Sequence, residues 1–217
     1  MQSKNLTPAE FEAHIKDGTF RLSFVGMSNA GKSYRSKTLN RERGFLWHQV
    51  DADIQKDLGF AAMDEISSWL GYPTSPTYPE HEAEYLRFEN KATLLSAEQT
   101  HGKNLVFDTT GSVVHLETKT LEVLKENCLV IHLDVGDDSL QKMMERFFKE
   151  PKPVAWCGFF SQEVGETEVE ALVRCYPTLL AERLTRYRKL AHLNIPAKDV
   201  YDTTGEETLE VIKSYLR

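Results

Sequence analysis

A chain of 217 residues is long enough to bury a sizeable core and fits one domain of ordinary size. Its formal net charge of -7 argues against a nucleic-acid-binding surface, which needs clustered positive charge. No apolar run reaches the length that spans a bilayer, the first residues lack a basic-then-apolar leader, and the three cysteines show no metal-ligand spacing. A cytoplasmic protein with reduced, hydrophobe-like thiols and no membrane or nucleic-acid partner is therefore expected, as a monomer or homodimer.

Taken in order, Thr7-Pro8-Ala9-Glu10 signals a helix start, with Thr7 as N-cap, Pro8 at the first helical position and Glu10 closing a capping box. Gly18 ends that helix, so residues 1–19 read as a helical extension of a single domain covering residues 1–217. Residues 20–25 read as a buried strand and Lys32–Arg43 as a helix. Between them, Gly26-Met27-Ser28-Asn29-Ala30-Gly31-Lys32-Ser33 fits G-x-x-x-x-G-K-[ST] at every defined position. The two glycines let the backbone curl with its N–H groups inward, and the helix behind adds its positive end. Lys32 can reach β- and γ-phosphates, Ser33 can ligate Mg²⁺, and Tyr34 follows on the same helix. The expected nucleotide is ATP, with Mg²⁺.

A second strand, residues 45–50, runs into Asp51-Ala52-Asp53, whose carboxylates share one side if the segment is extended. Phosphoryl transfer needs one carboxylate for the metal and one for the attacking hydroxyl; Asp51 is assigned the first role and Asp53 the second. Two short helices follow, the second over Met63–Leu70, and then a proline-rich stretch, residues 71–79, that forbids regular structure. A long helix over residues 80–100 carries the stripe Tyr85, Phe88, Ala92, Leu95, with Arg87 opposite it.

A third strand, residues 104–108, ends at Asp108-Thr109-Thr110-Gly111, and Asp108 is a second candidate for Mg²⁺. These four residues also fit the D-x-x-G of GTPases, but no N/T-K-x-D follows to read guanine. One helix then runs to about residue 127, a fourth strand covers residues 129–133, and a helix ends near residues 146–149. Residues 150–170 read as an irregular segment that can close as a lid, flanked by Arg146 and carrying Lys152 and the exposed-looking Trp156, Phe159 and Phe160. A long helix ends near residue 192, with Arg183 at the edge of its apolar stripe. Residues 200–201 read as the last strand and residues 208–216 as a closing helix. Strands alternating with helices mean an α/β sandwich with a parallel sheet, its active site along the strand ends.

Four blocks together resemble the shikimate-kinase-like family of P-loop small-molecule kinases: residues 26–33, Asp51-Ala52-Asp53 as D-x-D, Arg146 with Lys152-Pro153, and Arg183-Leu184-Thr185-Arg186-Tyr187 as R-x-x-x-Y. The resemblance runs from about residue 21 to the C-terminus. It implies a three-layer sandwich around a five-stranded parallel sheet, a P-loop NTPase of the shikimate kinase and nucleoside monophosphate kinase type. It also implies transfer of the γ-phosphoryl group to a hydroxyl of a small polar metabolite. On it rest catalytic roles for Lys32, Asp53, Arg146 and Lys152, and substrate contacts from Asp53, Arg87, Thr109, Thr110, Gly111 and Arg183. The family's glycine-rich turn is here Thr109-Thr110-Gly111, Arg87 lies two rather than three residues before a glutamate, Lys152 replaces an arginine, and the proline-rich stretch is additional. These departures point away from shikimate and toward a sugar, nucleoside or other polyol. The alternative is a regulatory nucleotide-binding module without small-molecule phosphorylation.

Overall fold

The structure, a computed structural model, describes residues 6–98, 102–136, 139–149 and 154–216. Its five parallel strands are β1 (Arg21–Val25), β2 (Leu46–Gln49), β3 (Leu105–Asp108), β4 (Leu129–Asp134) and β5 (Leu193–Pro196), in the order β2-β3-β1-β4-β5. Side chains alternate across a strand, yet all five residues of β1 are buried, so helices cover both faces of the sheet. The three-layer α/β architecture expected from the alternation of elements is the one observed. The helices are α1 (Pro8–Asp17), α2 (Lys32–Arg43), α3 (Val50–Leu58), α4 (Met63–Leu70), α5 (Tyr78–Glu98), α6 (Thr118–Asn127), α7 (Leu140–Lys149), α8 (Glu168–Leu190) and α9 (Gly205–Ser214). Among the described residues no helix is long and apolar enough to cross a membrane.

The first helix forms as its sequence requires. Glu10 Oε2 accepts from Thr7 N at 2.9 Å, and Thr7 Oγ1 accepts from Glu10 N at 3.3 Å. Its one core anchor, Phe11, meets Phe20 edge-on with ring centroids 4.8 Å apart.

Two elements differ from the sequence expectation. The last strand is Leu193–Pro196, paired with β4 from Ile131↔Leu193 to Asp134↔Pro196, whereas Ala197–Val200 forms a 3₁₀ turn. Strand β5 lies at the sheet edge, where a proline at the strand end removes no ladder bond that the fold needs. Beyond β3, a 3₁₀ turn at Val113–His115 precedes α6, in place of one continuous helix.

Trp156 is not exposed. It is 2% accessible, edge-on to Phe147 and Phe160 and tilted against Tyr176. The proline-rich stretch explains the anchoring. Tyr78, at the start of α5, donates to Val154 O at 2.9 Å and accepts from Trp156 N at 2.9 Å, while Glu82 Oε1 accepts from Cys157 N at 2.8 Å. Residues 154–157 are thus tied to α5. Glu150 to Pro153, with the expected Lys152, lie outside the described residues.

Candidate active site

Three loops leave the carboxyl ends of β1, β3 and β2 and meet around a cavity of about 580 Å³. The loop after β1 has the backbone that its glycines predict. Gly26 has φ +145, and a Cβ there would stand 3.0 Å from Leu133 O; Gly31 has φ +95, where a side chain strains the backbone even in open space. Asn29 also takes a left-handed conformation, φ 66, which asparagine tolerates. Gly31 caps α2 without a side-chain bond, leaving the first N–H groups of the helix directed at the loop. Lys32, 7% exposed, folds back and donates to Gly26 O at 2.8 Å and Met27 O at 3.0 Å. Met27, Ser28, Asn29, Gly31, Lys32, Ser33 and Tyr34 line the cavity, and Ala30 is buried behind them.

Asp108, at the end of β3, is 6% exposed, with the Ser33 side chain beside its carboxyl. Burial pushes its pKa up, while the Ser33 hydroxyl, the Lys32 ammonium and the Trp47 indole pull it down. One of its oxygens, Oδ1, is buried without a hydrogen-bond partner among the described residues.

Asp51 and Asp53 part company. Both lie in the first turn of α3 rather than in an extended segment. Residues two apart on a helix point about 200° away from each other, whereas on a strand they share a face. Asp51 lines the cavity. Asp53 does not, and its Oδ2 lies 2.7 Å from His48 Nε2 on the outer side of the sheet. Arg87 is likewise outside the cavity, exposed, 3.3 Å from Glu84 and over the Phe88 ring.

The turn after β3 carries hydroxyls, but they face the protein. Thr109 Oγ1 donates to Phe24 O at 2.8 Å, Thr110 Oγ1 donates to Glu89, and Ser112 Oγ donates to Glu89 Oε2 at 2.6 Å. Gly111 is held from the other side, its carbonyl accepting from Tyr187 Oη. Arg183, 7% exposed, lines the cavity and donates to Ala155 O at 2.6 Å and to His115 Nε2 at 3.3 Å. Burial, then the neighbouring Arg183 charge, lowers the His115 pKa to about 4, which keeps that imidazole neutral and able to accept. Arg146 lies on α7, whose Met143 and Phe147 add an apolar wall to the cavity.

Glu89, Ser112 and His115 were not singled out from the sequence. Glu89 falls four residues after Tyr85 and three before Ala92, so helical spacing alone puts it on the buried face of α5. Its carboxyl is fully buried and its pKa is raised from 4.5 to about 7, chiefly by desolvation. A raised carboxyl pKa means that the folded protein holds the proton more tightly than the unfolded chain. That stabilisation is fully present below about pH 4.5 and is lost as pH rises through about 7, on the order of 3 kcal/mol in all. Urea unfolding of wild type and Glu89→Gln at pH 5 and pH 8 checks this: the variant is expected to gain stability relative to wild type at the higher pH. An equal difference at both pH values removes the assignment.

No protein-family model matches this sequence, and no curated protein matches it. Among solved structures, the chain is similar to shikimate kinase from Acinetobacter baumannii in complex with shikimate, with TM-score 0.64 and 20% identity, covering 94% of this chain and 97% of that one. It is also similar to shikimate kinase from Bacteroides thetaiotaomicron, with TM-score 0.60 and 17% identity over 90% and 97% of the two chains. A third is shikimate kinase from Aquifex aeolicus, with TM-score 0.57 and 17% identity over 91% and 96%. At these identities the likeness establishes the architecture: the chain has the shikimate kinase fold.

Proposed function

We propose that this protein is an ATP-dependent kinase that phosphorylates a hydroxyl of a small polar metabolite. The observation that carries the reading is that Lys32, Ser33 and Asp51 open onto one cavity, with the buried Asp108 carboxyl beside Ser33. A hydroxyl, a carboxylate and a buried oxygen without a partner suit Mg²⁺, which takes one or two carboxylates plus substrate phosphates. Ser33 and Asp108 would hold it, and it would supply positive charge against the phosphates. Lys32 leaves the Gly26 and Met27 carbonyls to pair with the phosphates, which the backbone N–H groups of residues 26–33 cradle. Arg146, on α7, and Lys152 are the proposed lid contacts to the nucleotide.

Asp51, rather than Asp53, takes the proton of the attacking hydroxyl, because it is the carboxylate of the pair that reaches the cavity. Arg183 orients the acceptor, since part of its guanidinium faces the cavity while the rest is fixed to Ala155 and His115. Glu89 acts at one remove, holding the turn of residues 110–112 against which the acceptor rests.

The acceptor is not shikimate. Thr109 and Thr110 put Cβ atoms where the family pattern has glycines, and their hydroxyls are spent on Phe24 O and Glu89. Arg87 is turned outward, leaving Arg183 as the acceptor-side guanidinium. A pocket that offers no partner to a substrate's polar group disfavours that substrate by about 10²-fold. A coupled ADP-release assay over shikimate, gluconate, nucleosides and simple sugars is expected to show a neutral polyol turning over above shikimate. Shikimate turnover above all the others would reverse this assignment.

A further inference from the structure

Trp47 lies on β2 opposite Val106 in the register that pairs Gln49 with Asp108. Side chains two apart share a face of the sheet, so Trp47, Val106 and Asp108 lie on one face, while His48 stacks on Phe107 on the other, centroids 5.4 Å apart. Ser33, at the start of α2, lies beside Asp108, and α2 packs on β2 and β3, so the shared face of Trp47 and Asp108 is the one that carries the phosphate-binding helix.

The indole N–H lies near enough to the Asp108 carboxyl to lower its pKa but closes no hydrogen bond on it. Trp47 Nε1 and Asp108 Oδ1 are both buried and both lack a partner among the described residues. A buried donor and a buried acceptor left open each carry a desolvation penalty of about 1–3 kcal/mol, which a hydrogen bond between them would relieve. The Ser33 hydroxyl, a group the metal would take, also lies beside the Asp108 carboxyl.

We propose that Trp47 is the positioning residue of the metal-holding carboxylate: its indole N–H would close on Asp108 Oδ1 and so hold the carboxyl in place for Mg²⁺. The inference rests on the assignment of Ser33 and Asp108 in the kinase reading. Partners of this kind change metal affinity by about 10- to 100-fold when removed. They leave binding of metal-free nucleotide untouched.

The test uses the full chain with ADP and Mg²⁺. Calorimetric titration of Mg²⁺ at saturating ADP is expected to give at least about tenfold weaker binding in Trp47→Phe, with metal-free ADP affinity unchanged. Intrinsic fluorescence supplies a second readout: the emission change on adding Mg²⁺ to the ADP complex should persist in Trp69→Phe and vanish in Trp47→Phe. Should Trp47→Phe fail to fold, the ¹⁵N–¹H resonance of the Trp47 indole in wild type decides, because it is expected to move downfield when Mg²⁺ is added to the ADP complex. A Mg²⁺ constant within twofold of wild type, equal losses with and without metal, an emission change surviving in Trp47→Phe, or an indole resonance unmoved by Mg²⁺ would overturn the proposal. Wild type that binds no ADP at all refutes the kinase reading and this inference with it. ADP binding with a wild-type Mg²⁺ constant in Trp47→Phe refutes the inference alone.

Discussion

Lys32→Ala is expected to lower phosphoryl transfer by ~100-fold or more and to weaken ATP binding. The ammonium is nearly buried and donates to two loop carbonyls, Gly26 O and Met27 O, at 2.8 and 3.0 Å. It is thus held beside the point where charge develops on the transferring group. A preorganised donor aimed at such charge in a closed site contributes about 3–4 kcal/mol to the transition state. The loop itself should survive the change, because its shape is set by Gly26, Asn29 and Gly31 and by the Ala30 N to Met27 O bond at 3.2 Å. Steady-state kinetics with an unchanged melting temperature would therefore isolate the chemical loss. Turnover near that of wild type would remove the kinase reading.

The parts legible in the sequence are those whose cause is local. Residues 26–33 are contiguous, and each glycine answers to a backbone need that can be stated without the fold: close approach at Gly26 and a left-handed φ at Gly31. The four apolar strands read correctly because each is bounded by turn or helix signals. Strand β5 did not, because Leu193-Asn194-Ile195-Pro196 is short and ends in proline, and only its pairing with β4 makes it a strand.

The candidate site was legible by residue type but not by direction. Asp51 and Asp53 were placed on one face because the end of β2 was read as extended, and one turn of helix reverses that conclusion. Arg87 reads as lying opposite the apolar stripe, but which side of α5 meets the cavity depends on α3, α4 and α6, which pack against it. The threonines of residues 109–110 were expected to add hydroxyls to the pocket. The Thr109 hydroxyl is instead directed to Phe24 O and the Thr110 hydroxyl to Glu89, a charged residue on a buried face that a count of apolar positions passes over. What Trp156 packs against was not legible, because its segment lacks periodicity. Its burial comes from Phe147, Phe160 and Tyr176 together with the backbone bonds to Tyr78 and Glu82.

Asp51→Asn and Asp53→Asn are expected to separate cleanly, in the order opposite to that read from the sequence. Asp51 opens onto the cavity that Lys32 and Ser33 line, so losing its carboxylate removes the proton acceptor for the attacking hydroxyl. A positioned general base contributes about 10²–10⁴-fold, and asparagine keeps the shape while losing the basicity. The rate should fall by that amount with ATP affinity little changed, because the partner of Asp51 is the acceptor and not the nucleotide. Asp53 instead faces His48 at a half-exposed position, where an ion pair contributes about 0–1 kcal/mol to stability. Asp53→Asn should therefore keep turnover within a few-fold of wild type. Single-turnover kinetics alongside ATP-binding titrations resolve the alternatives. A larger rate loss in Asp53→Asn would restore the role read from the sequence and require α3 to unwind its first turn in the working enzyme. A loss in Asp51→Asn that raised Mg²⁺ recovers would move Asp51 to the metal, leaving the acceptor proton to a group other than these two carboxylates.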